Sequence, residues 1–159
     1  MTADDRKKRL HRLELVYVRS PIYAVTILPS IGGNCSRARQ LTKPWSSSRY
    51  KVPLMARGPG NYVLMPDHLY TFVATDDQKI TLSLWMKSLK HSTSKILRRK
   101  RVVAPHWQET FFDHLLRNNE LYSQEWNYVR KNPARAGLVK TAAEWPFVGE
   151  IFRLEYRSD

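Results

Sequence analysis

The stretch YVLMPDHLYTFVA, Tyr62 to Ala74, decides how the rest of the chain is read. It contains two short β-favouring pieces, and Pro66-Asp67 between them suits a tight turn. In the second piece His68, Tyr70 and Phe72 point to one face of a sheet, while Leu69, Thr71 and Val73 point to the other, because strand side chains alternate. His68 and Tyr70 therefore lie side by side, where a pair of metal ligands would sit. A lone histidine on a strand is more often structural, so His68 alone does not decide between a metal site and a core position.

Working outward, Ile22 to Leu28 reads as another strand, since Ile22, Tyr23, Val25 and Ile27 are β-branched or aromatic and Pro21 breaks any helix there. Residues 29–60 carry four prolines, four glycines and a serine run with no apolar period. That makes them an irregular stretch, longer than compact domains usually tolerate. Beyond the hairpin, residues 77–101 read as a helix with Ile80, Leu84, Leu89 and Ile96 as core candidates. Its end gathers Lys95, Arg98, Arg99, Lys100 and Arg101. Cations in a last turn suit the helix dipole, but this many exceed what capping needs, so a phosphate contact is also expected. Phe111 to Leu116 reads as a strand, Asn118 or Asn119 as a helix cap, and residues 120–132 as a helix stopped by Pro133. The order β, irregular, β, β, α, β, α predicts one α+β domain over 1–159. Its expected form is a ferredoxin-like or RRM-like antiparallel sheet with helices packed on one face.

The chain has 159 residues, enough for one real core, and 42% of them are hydrophobic, which argues against disorder. Lys and Arg number 27 against 14 Asp and Glu, for a net charge of +13. An excess of that size favours a polyanionic partner, nucleic acid above all. The lone Cys35 excludes an internal disulfide and a cysteine-built zinc site. The charged opening MTADDRKKRLHRLEL does not read as a signal peptide, and no apolar run is long enough to span a membrane. A cytoplasmic, nucleoid-associated protein with no membrane partner is expected.

Tyr128 and Asn132, in WNYVRKNP, are spaced i, i+4 and would share a helix face. Taken singly, a tyrosine on an amphipathic helix is more often core than nucleophile, and an asparagine before proline is explained as a helix stop. Trp107 and Phe111 are candidates for stacking on unpaired bases or for core packing.

YVLMPDHLY, WQETFFDHLLRN and YVRKNPARAGLV, in this order, resemble the single-tyrosine HUH transposases, and most closely their REP-associated tyrosine transposase branch. RLELVYVRSPIYAVT and EWPFVGEI also fit, so the resemblance covers roughly residues 10–28 and 61–152. It implies the HUH endonuclease fold and a DNA transposase that cleaves and rejoins single-stranded DNA near hairpins. Carried over by position, Tyr128 is the nucleophile, and His68 and Asn132 are metal ligands. Tyr70 stands where the family has its second metal histidine. The implied cofactor is Mg2+ or Mn2+, the implied intermediate a 5′-phosphotyrosine, and the implied partner hairpin or single-stranded DNA, met as a monomer or homodimer. Lys95, Arg98, Arg99, Lys100, Arg101, Trp107, Arg117, Arg130, Lys131 and Arg135 are the expected DNA contacts. A phenol is a poor ligand at neutral pH, so Tyr70 implies a weakened or inactive nuclease. Residues 29–60 depart from the family's pattern in a way that a compensated frameshift would produce.

Overall fold

The computed structural model describes residues 21–30, 59–75, 80–151 and 154. The expected turn at Pro66-Asp67 folds strand β2 (Pro59–Leu64) onto strand β3 (Leu69–Ala74), and the Met65 amide donates to the His68 carbonyl at 2.8 Å to close it. β3 also pairs with β1 (Ile22–Ile27), which in turn pairs with β4 (Phe112–Leu116). β5 (Val148–Glu150) pairs with β2. The sheet is antiparallel throughout with strand order β4-β1-β3-β2-β5, so β1 and β3 are central and β4 lies at an edge.

One feature of the sheet differs from expectation. Helix α1 (Leu82–Arg99) packs Leu82, Trp85, Met86, Leu89 and Leu97 against Tyr23, Val25, Ile27, Leu64, Leu69 and Val73. Helix α2 (Asn119–Val129) lies on the opposite face, with Tyr122 and Trp126 over Ile22, Ala24, Phe72 and Leu116. The helices therefore cover both faces rather than one. The three inner strands are buried at almost every position instead of alternating, so each face needs a cover.

Thr81 caps α1, its hydroxyl accepting from the Leu84 amide. The buried stripe runs Leu82, Trp85, Met86, Leu89, Thr93, Leu97. Of the expected core positions Leu89 is buried and Ile80 half-buried against the cluster, but Leu84 is 57% exposed. It stands about 200° around the helix from Leu82, off the apolar stripe. Asn118 caps α2 through its side chain, which accepts from the Leu121 amide at 2.8 Å.

α2 stops at Val129, before Arg130 and Lys131, and a one-turn helix α3 (Asn132–Arg135) follows. Pro133 thus sits in the first turn of a helix instead of ending one, a place where its missing N–H costs nothing. α3 closes with the Gly137 amide bonded to Ala134 O and the Leu138 amide to Pro133 O, with Gly137 at φ 71°. Both bonds and the left-handed glycine form a Schellman cap. On the approach to β4, the Lys90 ammonium donates to the carbonyls of Gln108, Glu109 and Thr110 at 2.7, 3.0 and 3.1 Å. It thereby fastens that segment to α1.

Of the irregular stretch only its ends are described: Pro29 bridges Trp107, and Pro59 and Gly60 open β2. The frameshift reading and Arg37, Arg39, Lys43, Arg49, Lys51 and Arg57 lie outside the described residues.

Candidate functional site

The strand registers put Phe112, Thr26, Tyr70, Val63 and Val148 in one row across the α2 face of the sheet. This row lies near the end of β3 at which His68 enters. Val129, the last residue of α2, packs on Val63 and Met65, so the chain carrying Tyr128 and Asn132 reaches the same end.

His68 sits one residue before β3, its Nδ1 2.7 Å from Asp67 Oδ1 and its side chain largely buried. The aspartate orients the ring and leaves Nε2 as the nitrogen available to a ligand. Tyr70 is committed elsewhere: its hydroxyl donates to Glu125 Oε1 of α2 at 2.5 Å. Burial, then the bond to Glu125 and that carboxylate's charge, push its pKa far above the ordinary phenol value, and Tyr128 adds to the shift. At neutral pH the Tyr70 phenol is therefore protonated and spends that proton on Glu125. His114 Nε2 approaches the same carboxylate oxygen at 4.0 Å.

Tyr128 is 60% exposed, which removes the core reading of this residue. The Arg135 guanidinium lies 3.7 Å from its ring centroid. The same guanidinium donates to Asn132 Oδ1. Arg135 thus joins the two residues that the i, i+4 spacing had associated, across the helix break that the spacing did not foresee. Its charge is stacked on the face of the Tyr128 ring.

The expected Mg2+ or Mn2+ site is poorly supplied. No group of three or more His, Cys, Asp or Glu side chains able to hold a metal occurs among the described residues. His68 offers one nitrogen, the Asn132 oxygen already accepts from Arg135, and Tyr70 presents a neutral phenol turned to Glu125. Ions of this class prefer several oxygen donors, often charged, and these residues do not fit that demand.

The expected DNA contacts divide between two regions. Arg130, Lys131 and Arg135 are exposed next to Tyr128, and Arg117 is exposed just after β4. Lys95, Arg98, Arg99, Lys100 and Arg101 are exposed too, but on and just after α1, the helix of the opposite face. Trp107 is half-buried against the α1 core, and its indole N–H donates to Thr93 Oγ1 at 2.9 Å. Phe111 packs on the same cluster, with the Lys90 ammonium 5.6 Å from its ring. Both of these aromatics have packing roles.

Glu125 escaped the sequence reading. The signal was available: Tyr122, Glu125, Trp126 and Val129 form the inward stripe of α2, and a carboxylate on such a stripe needs a buried partner.

No family model matches the chain. It is 26% identical over 115 residues to the REP-associated tyrosine transposase of Escherichia coli (strain K12), covering 70% of this chain and 67% of that protein. It is 22% identical over 94 residues to a candidate REP-associated tyrosine transposase of Haemophilus influenzae, covering 53% of each. The chain thus spans about two thirds of the first curated relative and about half of the second. Among solved structures, its fold resembles a REP-associated tyrosine transposase bound to a REP hairpin. That match has a TM-score of 0.63 and 20% identity over 84% of this chain and 78% of the other. A bacterial tRNA(His) guanylyltransferase-like protein in complex with GTP shares the fold more distantly, with a TM-score of 0.50 and 14% identity over 90% and 76% of the two chains. Sequence and fold point the same way: the chain is similar to the REP-associated tyrosine transposases.

Proposed function

We propose that this chain binds hairpin-bearing single-stranded DNA on a tyrosine-transposase scaffold, with Tyr128 placed as nucleophile and its strand cleavage weakened by Tyr70. The observation that carries the reading is the exposed Tyr128 with the Arg135 guanidinium on its ring, at the end of the sheet where His68 enters β3. Arg135, Arg130 and Lys131 supply positive charge for the DNA backbone there, and phosphate contacts of that kind fix a strand's position without reading its sequence.

In the cleavage step the Tyr128 oxygen attacks phosphorus and the bond from phosphorus to the 3′ oxygen breaks. The products are a 5′-phosphotyrosine and a free 3′-hydroxyl, with the phenolic proton passing to a base and the departing 3′ oxygen taking up a proton from an acid or water. The 3′-hydroxyl can reverse the step, so strands are rejoined rather than hydrolysed. In the relatives' chemistry a divalent ion would neutralise charge on the phosphate. With Tyr70 bonded to Glu125 that role lacks a proper donor set here, and no step is assigned to a metal. A second reading, a hairpin-binding protein that does not cut, is favoured by this same Tyr70–Glu125 bond.

A labelled single-stranded hairpin incubated with the protein and Mn2+ separates the two. Cleavage gives a covalent protein–DNA adduct on a denaturing gel that vanishes in Tyr128→Phe. Binding without adduct in the wild type, with adduct formation gained in Tyr70→His, identifies an intact nucleophile beside an impaired metal site. Absence of binding even at low salt, where phosphate attraction is strongest, would end the DNA reading altogether.

A further inference from the structure

We infer that Phe112, with His114 beside it on edge strand β4, is a stacking platform for an unpaired base of the single-stranded flank next to the hairpin. The inference rests on the DNA-binding reading above and adds to it the site at which the single strand is gripped.

Phe112 is 58% exposed on a sheet position, while the other sheet aromatics, Tyr23, Tyr62, Tyr70 and Phe72, are buried or half-buried. An isolated exposed phenylalanine is ordinary, so its placement has to carry the argument. Phe112 stands in the row Phe112–Thr26–Tyr70, two strands from Tyr70 and so about 10 Å away across the sheet. The same row continues to Val63, against which Val129, the neighbour of Tyr128, packs. α2 covers this face over Ala24 and Phe72 through Tyr122 and Trp126, and its Glu125 reaches Tyr70. That cover leaves the Phe112 ring uncovered. His114, exposed and two residues further along β4, lies on the same face.

An exposed aromatic on the open part of an antiparallel sheet is a platform on which a base can stack, and any base satisfies it, because each has a π-face. The surroundings specify nucleic acid over other flat apolar ligands. Arg117 follows β4, Arg130, Lys131 and Arg135 surround Tyr128, and the chain carries a net charge of +13. A base held on Phe112 would set its strand running over Thr26 and Tyr70, carrying a neighbouring phosphodiester towards Tyr128. Trp107 and Phe111 do not compete for this role, since both pack on the α1 side.

The test measures binding by fluorescence anisotropy for a labelled DNA hairpin with a short unpaired flank and for the same hairpin with a blunt stem, at low salt. The wild type, Phe112→Ala and Phe112→Trp are compared, and circular dichroism is recorded to establish that each folds. Phe112→Ala should weaken binding of the flanked hairpin by roughly 5- to 150-fold, the range for losing one stacked base. It should leave the blunt hairpin unchanged, and Phe112→Trp should retain wild-type affinity. A 2-aminopurine in the flank should be quenched by the wild type and Phe112→Trp but not by Phe112→Ala. Equal affinity of wild type and Phe112→Ala for the flanked hairpin overturns the inference while leaving the DNA reading standing. So does an equal loss on both hairpins, or a change in oligomeric mass with flanked-hairpin affinity intact. Binding of neither hairpin by the wild type would sink both together.

Discussion

Tyr70 shows how one side chain ties a central strand to the helix that covers it. A histidine at this position would present an imidazole nitrogen close to the strand. The longer phenol instead reaches across to α2 and donates a hydrogen bond to Glu125. The cross-tie has a stability consequence with a definite sign. Tyr70 keeps its proton in the fold well beyond the pH at which it ionises in the unfolded chain, because of burial and then Glu125. Tyr122 is pushed up to about 12, chiefly by burial, and burial also raises Tyr62. Groups raised in the folded state contribute stability that is complete below the unfolded pKa, here 10.0, and is lost as pH rises above it. Urea midpoints are therefore expected to be flat from pH 7 to 9 and to fall from pH ~10 upward, as the unfolded phenols ionise. Tyr70→Phe should fall less steeply in that window, and an unchanged slope would contradict the raised phenol.

Two glycines separate causes that act on the elements. Gly137 closes α3 at φ 71°, and a Cβ added there would meet nothing within 4 Å. Gly137→Ala should therefore cost about 1–2 kcal/mol from backbone strain alone. Gly149 in β5 has an ordinary backbone, but a Cβ there would lie 2.8 Å from the hydroxyl oxygen of the buried Tyr62, its partner across the pairing of β5 with β2. Gly149→Ala should cost about 1–3 kcal/mol through forced repacking of that ring. Denaturant titration measures both, and near-ultraviolet circular dichroism should change only for Gly149→Ala, where an aromatic must move. Lys90 has a different job, tying α1 to the carbonyls ahead of β4. Lys90→Met should destabilise by about 1–3 kcal/mol, since three carbonyls lose a charged donor. It should also weaken flanked-hairpin binding by loosening the strand that holds Phe112.

At the scale of the whole molecule, the excess of cations makes binding depend on salt, and the two-faced fold predicts which cations matter. Arg130, Lys131 and Arg135 share a region with Tyr128, whereas Lys95 to Arg101 belong to the helix on the other face. Removing Lys131 or Arg135 should reduce the slope of log affinity against log salt by about 0.7–0.9 each, as expected for one lost phosphate contact. Arg98→Ala and Arg99→Ala should change it less. A larger effect from the α1 pair would move the DNA track to the opposite face.

Local patterns made much of this legible. The Pro66-Asp67 turn, the strand on either side of it, the Asn118 cap and the strand through Phe112–Leu116 follow from period, turn chemistry and β-branching, which act over a few residues and are written in the chain. The order of elements then left few antiparallel arrangements open. Which face each helix covers was not written there, because strands that are apolar on both sides give no direction to their cover. The helix break at Arg130-Lys131 was also hidden, since a proline that ends one helix and a proline that starts the next look alike in sequence. The partner of Tyr70 lay fifty-five residues away, and the exposure of Phe112 depends on where α2 ends over the sheet. Those are facts of long-range packing, where distant segments compete for the same surface, and only the folded chain decides them.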